Sequence, residues 1–530
     1  MDKQFATVAK FFLLLFAVSF LVSCASLPID AERPESHALQ NTDDTRLGQA
    51  VMPLATEHPD QSGFFLLNKG MDAFAARLTL IEWADKSLDV QYYIWHDDMT
   101  GNVIHSRLLH AADRGVRVRL LLDDLDTAGK EETLHIMDAH PNIEIRLFNP
   151  FANRNVRAVD FASDLSRVNH RMHNKSITAD NQATIVGGRN IGDEYFEATE
   201  GVAFTDADVL GVGPVVNEVS SMFDLYWNSK WVYPLSAFKE GEPVTEGQRA
   251  ELMEKLDQVA LQARDSAYAD AVRNSGIMKE KETKLASEFN IAELPYAWGK
   301  WFLVYDDPSK VEADEVKEET HLGPQLAKAM KQSQHDLIVI SPYFVPGEDI
   351  TKFFTERVSN GIRVRILTNS LAANDVPIVY AGYMRYRKEL IKGGVELYEF
   401  KPQINEAGEV VKTDKKWTGS SGASLHAKSF AFDEQFVFVG SFNLDGRSIA
   451  INTEMGVFYE DPEIAKRLSK NFDSKLLTVA YRVTLDDENS LKWTTAENGK
   501  EVTFDAEPET SWWTRFSTGF LSIFVIESQL

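Results

Sequence analysis

The chain has 530 residues, which is long enough for two domains that each bury a core of their own. Its hydrophobic fraction of 44% and its charged fraction of 25% are typical of a globular protein. The formal net charge of −25 argues against a general nucleic-acid-binding protein, which would present a basic face, but it permits a local basic pocket.

The N-terminus has the pattern of a bacterial lipoprotein signal. Two lysines precede an apolar run at residues 11–22, which is short for a membrane span and typical of the central part of a signal peptide. The run leads into Leu-Val-Ser-Cys, which resembles the lipobox, whose cysteine is lipidated. We therefore expect residues 1–23 to be a signal peptide and Cys24 to carry lipid, with an uncleaved membrane anchor as the alternative. Cys24 is the only cysteine, so an intramolecular disulfide is excluded.

The next segment, residues 24–55, has few apolar residues and contains prolines and several acidic residues. This composition predicts a flexible tether. A coil of about thirty residues reaches roughly 30 Å on average, enough to let a domain lie on a bilayer surface.

Residues 56–234 alternate between strand and helix patterns. Residues 87–95 are rich in Val, Tyr and Ile, and residues 102–114 have helical periodicity up to the terminating Gly115. A second apolar strand follows directly. Strands that alternate with helices predict parallel βαβ units, and therefore a mostly parallel sheet flanked by helices.

The second part of the chain repeats the first after an interruption. Residues 235–325 have no counterpart and are predicted to be a helical and acidic linker. Residues 326–490 restart the pattern, and Gly-Ile-Arg-Val-Arg at 361–365 matches Gly-Val-Arg-Val-Arg at 115–119. Residues 491–530 form a C-terminal extension with an apolar tail. The tail is expected to pack on the domain or, alternatively, to lie in a membrane interface with its tryptophans at headgroup level.

One motif occurs twice with the same spacing. Each copy reads His-x-Lys-Ser-x3-Asp, with a Gly fourteen residues and an Asn seventeen residues after the His, and the two histidines are 253 positions apart. The copies comprise His173, Lys175, Asp180, Gly187 and Asn190, and His426, Lys428, Asp433, Gly440 and Asn443. Such agreement over seventeen residues indicates an internal duplication.

The duplicated residues fit phosphodiester chemistry. Residues i and i+2 of a strand share a face, so His and Lys of one copy project together. Two copies that face each other place two imidazoles and two ammonium groups around one phosphate. The lysines would stabilise the transition state without a metal, and no cofactor is expected. One His would attack phosphorus while the other protonates the leaving alcohol, and these roles are interchangeable from the residues alone.

The motif resembles that of the phospholipase D superfamily, and the flanking residues 88–95, 171–176, 187–193 and 368–375 are similar to the C-type branch of bacterial cardiolipin synthases. The resemblance implies an α/β fold with two similar phospholipase D-like halves packed around one shared active site. It implies that His173 is the nucleophile and His426 the acid and then the base. Lys175, Lys428, Asp180 and Asp433 complete the catalytic motif, and Asn190, Asn443 and Ser441 are expected to bind the phosphate.

Supporting carboxylates are also expected, because an imidazole of this kind usually needs one to fix its tautomer. Glu454, twenty-eight residues after His426, is the candidate for that histidine. Asp206 and Asp208 are the candidates for His173. Asp180 and Asp433 have an alternative role in stabilising the strand–loop geometry.

A basic island precedes the first motif in this otherwise acidic chain. Either its residues form surface ion pairs, or they capture anionic lipid headgroups. The island comprises Arg154, Arg157, Arg167, Arg171 and Lys175.

The resemblance predicts a membrane-associated phosphatidyltransferase that makes cardiolipin from phosphatidylglycerol, with or without phosphatidylethanolamine. A phospholipase D-type hydrolase is the alternative, and a nuclease is a more distant one. The expected partners are the phospholipid membrane and its anionic lipids, with no nucleic acid; the need for an accessory protein is left open. The expected location is the bacterial cell envelope, as a membrane-anchored lipoprotein facing the periplasm.

Overall fold

The computed structural model describes residues 26–198, 205–238, 242–273, 291–313, 315–402, 425–523 and 527–529. The expected signal peptide and Cys24 lie outside the described residues. Within the described part of the chain, we find no helix with the length and apolar character needed to cross a bilayer.

The first half is built on a nine-stranded sheet with the order β8-β4-β3-β2-β5-β6-β7-β1-β9. Its strands are β1 (Ser62–Leu67), β2 (Ser87–Tyr92), β3 (Arg117–Asp123), β4 (Ile143–Phe148), β5 (Ser176–Ala179), β6 (Ala183–Gly187), β7 (Asp208–Val212), β8 (Val232–Pro234) and β9 (Ala297–Gly299). The associated helices are α1 (Arg46–Glu57), α2 (Gly70–Trp83), α3 (Met99–Asp113), α4 (Glu131–Asp138), α5 (Ala158–Ser163), α6 (Leu165–Val168), α7 (Val215–Trp227), α8 (Glu246–Arg264) and α9 (Ala267–Arg273).

The second half is built on a ten-stranded sheet with the order β10-β16-β15-β14-β11-β12-β13-β17-β18-β19. Its strands are β10 (Trp301–Tyr305), β11 (Asp336–Ile340), β12 (Arg363–Asn369), β13 (Glu396–Phe400), β14 (Ser429–Phe432), β15 (Phe436–Gly440), β16 (Met455–Glu460), β17 (Ala480–Leu485), β18 (Leu491–Glu497) and β19 (Lys500–Phe504). Its helices are α10 (Leu322–Gln332), α11 (Gly347–Ser359), α12 (Pro377–Met384), α13 (Arg387–Lys392), α14 (Gly446–Ala450), α15 (Pro462–Ser474), α16 (Leu476–Val479) and α17 (Trp512–Leu521).

Both sheets are mixed, so the expectation of mostly parallel sheets is wrong. In the first half β2 pairs with β3 and β3 with β4 in parallel, as the βαβ pattern predicts, and the other strand pairs are antiparallel. The second half repeats this with β11, β12 and β13. The cause is the motif itself, because a tight turn at Asp180 and Asn181 brings β6 straight back along β5. A turn this short can join only antiparallel strands.

The two halves share one strand plan, which confirms the duplication. A parallel trio carries the βαβ units, and an antiparallel hairpin that follows the motif histidine pairs with its first strand: β5 with β2, and β14 with β11. The hairpin is extended by β7 and β1 in the first half and by β16 and β10 in the second.

The predicted tether is instead packed on the first half from residue 26 onward. Arg119 of β3 donates 2.8 Å to the Ser36 carbonyl, and Arg146 of β4 donates 2.6 Å to the Pro34 carbonyl. Ala38 is buried, and Leu47 of α1 belongs to the core of the first half. The segment is ordered because its carbonyls accept from buried guanidinium groups, which its own composition could not reveal.

The predicted linker also belongs to the two halves. Strand β9 pairs with β1 and strand β10 with β16, so the chain passes between the sheets at Lys300. Helix α8 packs against α3 and buries Leu252 and Leu256. The C-terminal extension is likewise part of the second sheet through β18 and β19.

A shared apolar core joins the two halves. It contains Phe64, Val186 and Val209 from the first sheet and Val439 and Val457 from the second, all buried. Four of these residues lie in β6, β7, β15 and β16, which follow the motif histidines in the chain. The packing that unites the halves therefore also positions both histidines.

Candidate active site

Each motif places its lysine directly beside its own histidine, just before a hairpin strand. Lys175 Nζ donates 2.6 Å to the His173 carbonyl, and Lys428 Nζ donates 2.6 Å to the His426 carbonyl. Lys428 Nζ also lies 3.1 Å from both ring nitrogens of His426. All four side chains are buried.

Backbone hydrogen bonds hold each motif to the opposite half. The His173 amide donates 2.8 Å to the Thr453 carbonyl, and the His426 amide donates 2.9 Å to the Thr205 carbonyl. The two contacts occupy matching positions in the duplication. The motifs therefore meet at one seam between the halves, in a pseudo-twofold arrangement.

The carboxylates that orient the histidines are exchanged between the halves. His173 Nδ1 lies 2.8 Å from Glu454, and His426 Nδ1 lies 2.6 Å from Asp206. The sequence-based assignment of Glu454 to His426, and of Asp206 to His173, is therefore wrong. Each carboxylate directly follows the threonine whose carbonyl binds the other half, so its side chain reaches across the seam.

This exchange fixes the ring chemistry. A carboxylate at Nδ1 accepts a hydrogen bond from the Nδ1–H group. Nε2 of the same neutral ring then keeps its lone pair, which is available to the reacting group. In both histidines Nε2 is thus the atom suited to attack phosphorus or to carry a transferred proton.

The third candidate carboxylate has a structural role. Asp208 is fully buried and forms ion pairs with Arg77 at 2.9 Å and Arg189 at 3.3 Å. It also accepts from the Arg189 amide. These contacts hold the strand that presents Asp206, and they place Asp208 with the arginines instead of His173.

The residue that follows the motif Gly is Gly188 in the first copy and Ser441 in the second. The neighbouring carboxylates explain this difference. The Ser441 hydroxyl donates 2.5 Å to Glu454 Oε2, the oxygen that binds His173. A side chain at Gly188 would clash with the Asp206 carboxylate. Ser441 therefore acts on the Glu454–His173 pair, a more indirect role than the predicted contact with substrate.

The two motif asparagines are buried beside the histidines. Asn190 accepts from the Ile94 amide and donates 3.0 Å to the Tyr195 hydroxyl. Asn443 Oδ1 is buried and has no hydrogen-bond partner among the described residues. Of the two motif asparagines, Asn443 therefore has a side-chain acceptor, Oδ1, that is not used within the described residues.

The motif aspartates lie at the far ends of their strands, away from the histidines. Asp180 accepts from the amides of Asp85, Lys86 and Ser87 at 2.7–2.9 Å. Asp433 likewise accepts from the amides of residues 334–336. Both have positive φ at the turn. These contacts correct their placement among the catalytic residues and match the alternative role in strand–loop geometry.

Burial and the neighbouring ammonium groups set the charges of the site. Burial, together with the charges of both lysines, lowers the pKa of His173 well below its usual value, and burial and Lys428 lower the pKa of His426 to about 4. Burial also lowers the pKa of Lys175, and it lowers the pKa of Lys428 to about 8. Both histidines are therefore neutral at pH 7, and each lies within reach of the lysine charge of the other half.

The two carboxylates differ in charge. Burial raises the pKa of Glu454 to about 7, against the opposing effect of Lys175. Burial also acts to raise the pKa of Asp206, but His426 and Lys428 outweigh it and hold this pKa below its usual value. The structure thus makes the two histidine–carboxylate pairs electrostatically unequal.

Three residues that contact the catalytic histidines or their carboxylates were not predicted from the sequence. The ring of Tyr93 lies edge-on to His173 at 4.9 Å, and the ring of Tyr195 lies edge-on to His426 at 5.3 Å. Asp306, in the predicted linker, accepts 2.8 Å from the Glu454 amide and pairs with buried Lys310. Tyr93 lies within the predicted strand at residues 87–95, which could have indicated the first contributor, whereas the other two depend on tertiary contacts.

All four arginines of the basic island form ion pairs within the protein. This favours the ion-pair interpretation over the capture of anionic lipid headgroups. Arg154 pairs with Asp124, Arg157 with Glu131 at 2.9 Å, Arg167 with Asp164 at 2.6 Å, and Arg171 with Asp123 at 3.2 Å. Of the island, only Lys175 belongs to the site.

The sequence is similar to known proteins over most of its length. The family model described as "Cardiolipin synthase, PLD-like domain" matches residues 78–227 and again residues 326–476. Cardiolipin synthase C of Escherichia coli is 44% identical over 91% of this chain and 99% of its own length. An uncharacterised protein of Helicobacter pylori is 31% identical over 96% of this chain and 97% of its own length.

A solved structure supports the fold. The crystal structure of phosphatidylserine synthase from Haemophilus influenzae aligns with a TM-score of 0.54 over 92% of this chain and all of its own, at 14% identity. The duplicated family match and the 44% identity to a relative covered over 99% of its length show that the chain belongs to the phospholipase D-like cardiolipin synthase family.

Proposed function

We propose that this chain is a phosphatidyltransferase that makes cardiolipin by joining two phospholipids. The observation that carries the proposal is the crossed pairing of His173 with Glu454 and His426 with Asp206. It provides two oriented imidazoles and two ammonium groups at a single seam. The name of the E. coli relative, cardiolipin synthase C, supports cardiolipin as the product.

In the first step His173 Nε2 attacks the phosphorus of the donor lipid. The P–O bond to the headgroup breaks, and the headgroup oxygen takes a proton from His426 Nε2. The negative charge of the bound phosphate favours the protonated form of His426 that this step needs. The phosphatidyl group is then held on His173 as a phosphohistidine, and Lys175 and Lys428 stabilise the charge on the nonbridging oxygens.

In the second step the hydroxyl of an acceptor phosphatidylglycerol gives its proton to His426. The acceptor oxygen forms a bond to phosphorus, the P–N bond to His173 breaks, and cardiolipin leaves. With phosphatidylglycerol as donor the first product is glycerol, and with phosphatidylethanolamine it is ethanolamine. Asn190 and Asn443 border the phosphate, and the Nδ2 amide of Asn443 donates a hydrogen bond to it.

Anchorage belongs to the same proposal. Cys24 would be lipidated after removal of residues 1–23 and would hold the enzyme at a membrane of the bacterial envelope, on its periplasmic side. An anchored enzyme meets both lipids in the bilayer, where a bound acceptor has an effective concentration that can exceed that of water. The need for an accessory protein stays open.

The test is to incubate the purified full chain with vesicles of headgroup-labelled phosphatidylglycerol and phosphatidylethanolamine and to identify both products. We expect cardiolipin as the main lipid product, free glycerol or ethanolamine in equal amount, and little phosphatidic acid. His173→Ala serves as the inactive control. Phosphatidic acid as the dominant product would show a hydrolase, and cleavage of DNA without lipid turnover would show a nuclease.

A further inference from the structure

The C-terminal helix has its apolar face turned outward. Trp512 and Trp513 of α17 are each 65% exposed, and Phe516 and Phe520 are more than half exposed, whereas Thr518 is buried against the body of the protein. A surface helix of a globular domain normally shows the reverse pattern. An exposed patch of this kind marks an interaction surface.

Residues 527–529 contact both halves. Glu527 accepts 2.7 Å from Arg385 and 2.6 Å from the Tyr386 hydroxyl, both in the second half. Gln529 accepts 3.0 Å from Asn169, in the first half. Asn169 stands four residues before His173, so the C-terminal segment is fastened at the rim of the active site.

A second exposed apolar patch lies in the first half, in the segment that precedes Asn169. Val156, Phe161 and Leu165, in or next to α5 and α6, are 58%, 38% and 56% exposed. They lead directly into Asn169, which also accepts from Arg447 of α14. More than half of the exposed large apolar side chains in the described residues belong to these segments and to α12, against which α17 packs.

We propose that α17 and the patch around Phe161 form one face that docks onto the surface of a phospholipid bilayer and holds the active-site seam against it. This inference rests on the proposed function, whose substrates reside in that bilayer. Tryptophan is suited to the headgroup level, where its ring is apolar and its N–H remains hydrated. Apolar insertion is the driving force, because the arginines of the basic island are ion-paired and the chain is acidic.

Insertion can be read directly with a fluorescent label. In the full chain carrying Cys24→Ser, a single Phe516→Cys is labelled with an environment-sensitive dye and mixed with vesicles of phosphatidylethanolamine and phosphatidylglycerol. The matched control carries the dye at Gln435→Cys, an exposed position of the same half at the end of β14 opposite His426. We expect a severalfold rise in emission with a blue shift at position 516 only, little changed by salt.

Turnover separates docking from chemistry. In the same Cys24→Ser chain, which lacks the proposed lipid anchor, the double variant Trp512→Ser/Trp513→Ser should process vesicle lipid at least about tenfold more slowly, since each buried aromatic contributes about one decade of partitioning. The same variant should process short-chain phosphatidylglycerol dispersed in detergent at the normal rate. Failure of the unmodified chain on both substrates would overturn the proposed function instead.

Three results would overturn the docking proposal. The first is an emission change at position 516 without vesicles that depends on protein concentration, which would show a second copy of the chain on this face. The second is an equal emission change at positions 516 and 435. The third is vesicle turnover unaffected by the double variant.

Discussion

At the scale of single residues, the site is defined by which carboxylate holds which histidine. Glu454 and Asp206 occupy matching positions in the two halves, and each serves the histidine of the other half. The longer carboxylate, Glu454, lies beside Ser441, whose hydroxyl donates to it. The shorter one, Asp206, lies beside Gly188, where any side chain would clash with it. Neither half therefore contains a complete histidine–carboxylate pair.

This exchange predicts crossed effects of mutation. Glu454→Gln and Asp206→Asn should each lower turnover by roughly 10²-fold or more, because the imidazole loses the partner that fixes its tautomer and charge. Nitrogen NMR of labelled histidine should show Glu454→Gln perturbing the ring of His173, and Asp206→Asn that of His426. Assignment comes from His173→Ala and His426→Ala. Perturbation of the histidine in the same half would contradict the exchange.

At the scale of elements, the motif hairpin carries its own anchor. Asp180 fastens the turn after β5 to the start of β2 with three backbone hydrogen bonds, and Asp433 does the same between β14 and β11. Because the histidine and the aspartate stand at opposite ends of one short strand, the aspartate positions the strand and does not touch the reacting atoms.

Loss of either anchor should weaken folding more than chemistry. Asp180→Ala and Asp433→Ala should each lower the free energy of unfolding by about 3–5 kcal/mol, since three amides lose a charged acceptor. The measurement is denaturant unfolding, with turnover per folded molecule staying within a few-fold of normal. Asp113→Ala removes an exposed ion pair with His140 and should cost at most about 1 kcal/mol. A large loss of turnover in fully folded Asp180→Ala protein would instead support a catalytic role.

At the scale of the whole molecule, the two sheets depend on each other. The shared core contains Phe64 and Val209 from one half and Val439 and Val457 from the other. Strands β9 and β10 meet at Lys300, which is the natural point at which to divide the chain.

A chain divided between Gly299 and Lys300 should be inactive in either piece. Each piece exposes its side of the shared core and lacks the carboxylate for its own histidine. Co-expression of the two pieces should restore part of the turnover, measured as cardiolipin formation, and should not do so when the second piece carries His426→Ala. Lipid turnover by one piece alone would contradict a shared active site.

The duplication, the α/β class, the family and the four central residues of the candidate site could all be predicted from the amino-acid sequence. These follow from local order: His173 and Lys175 are two residues apart, and the matching spacing up to Asn190 and Asn443 needs no knowledge of the fold. The βαβ units were predicted for the same reason, and they supply the parallel strands of both sheets.

The histidine–carboxylate pairs and the ordered segments outside the two motif regions could be recognised only in the tertiary structure. The pairs that orient the histidines join residues 281 and 220 positions apart, and they exist only because the halves dock face to face. Residues 26–57 and the strands β9 and β10 are ordered by partners far along the chain, not by their own composition. A motif spacing records distances within one half, so the contacts between halves become visible only when the shared core brings them together.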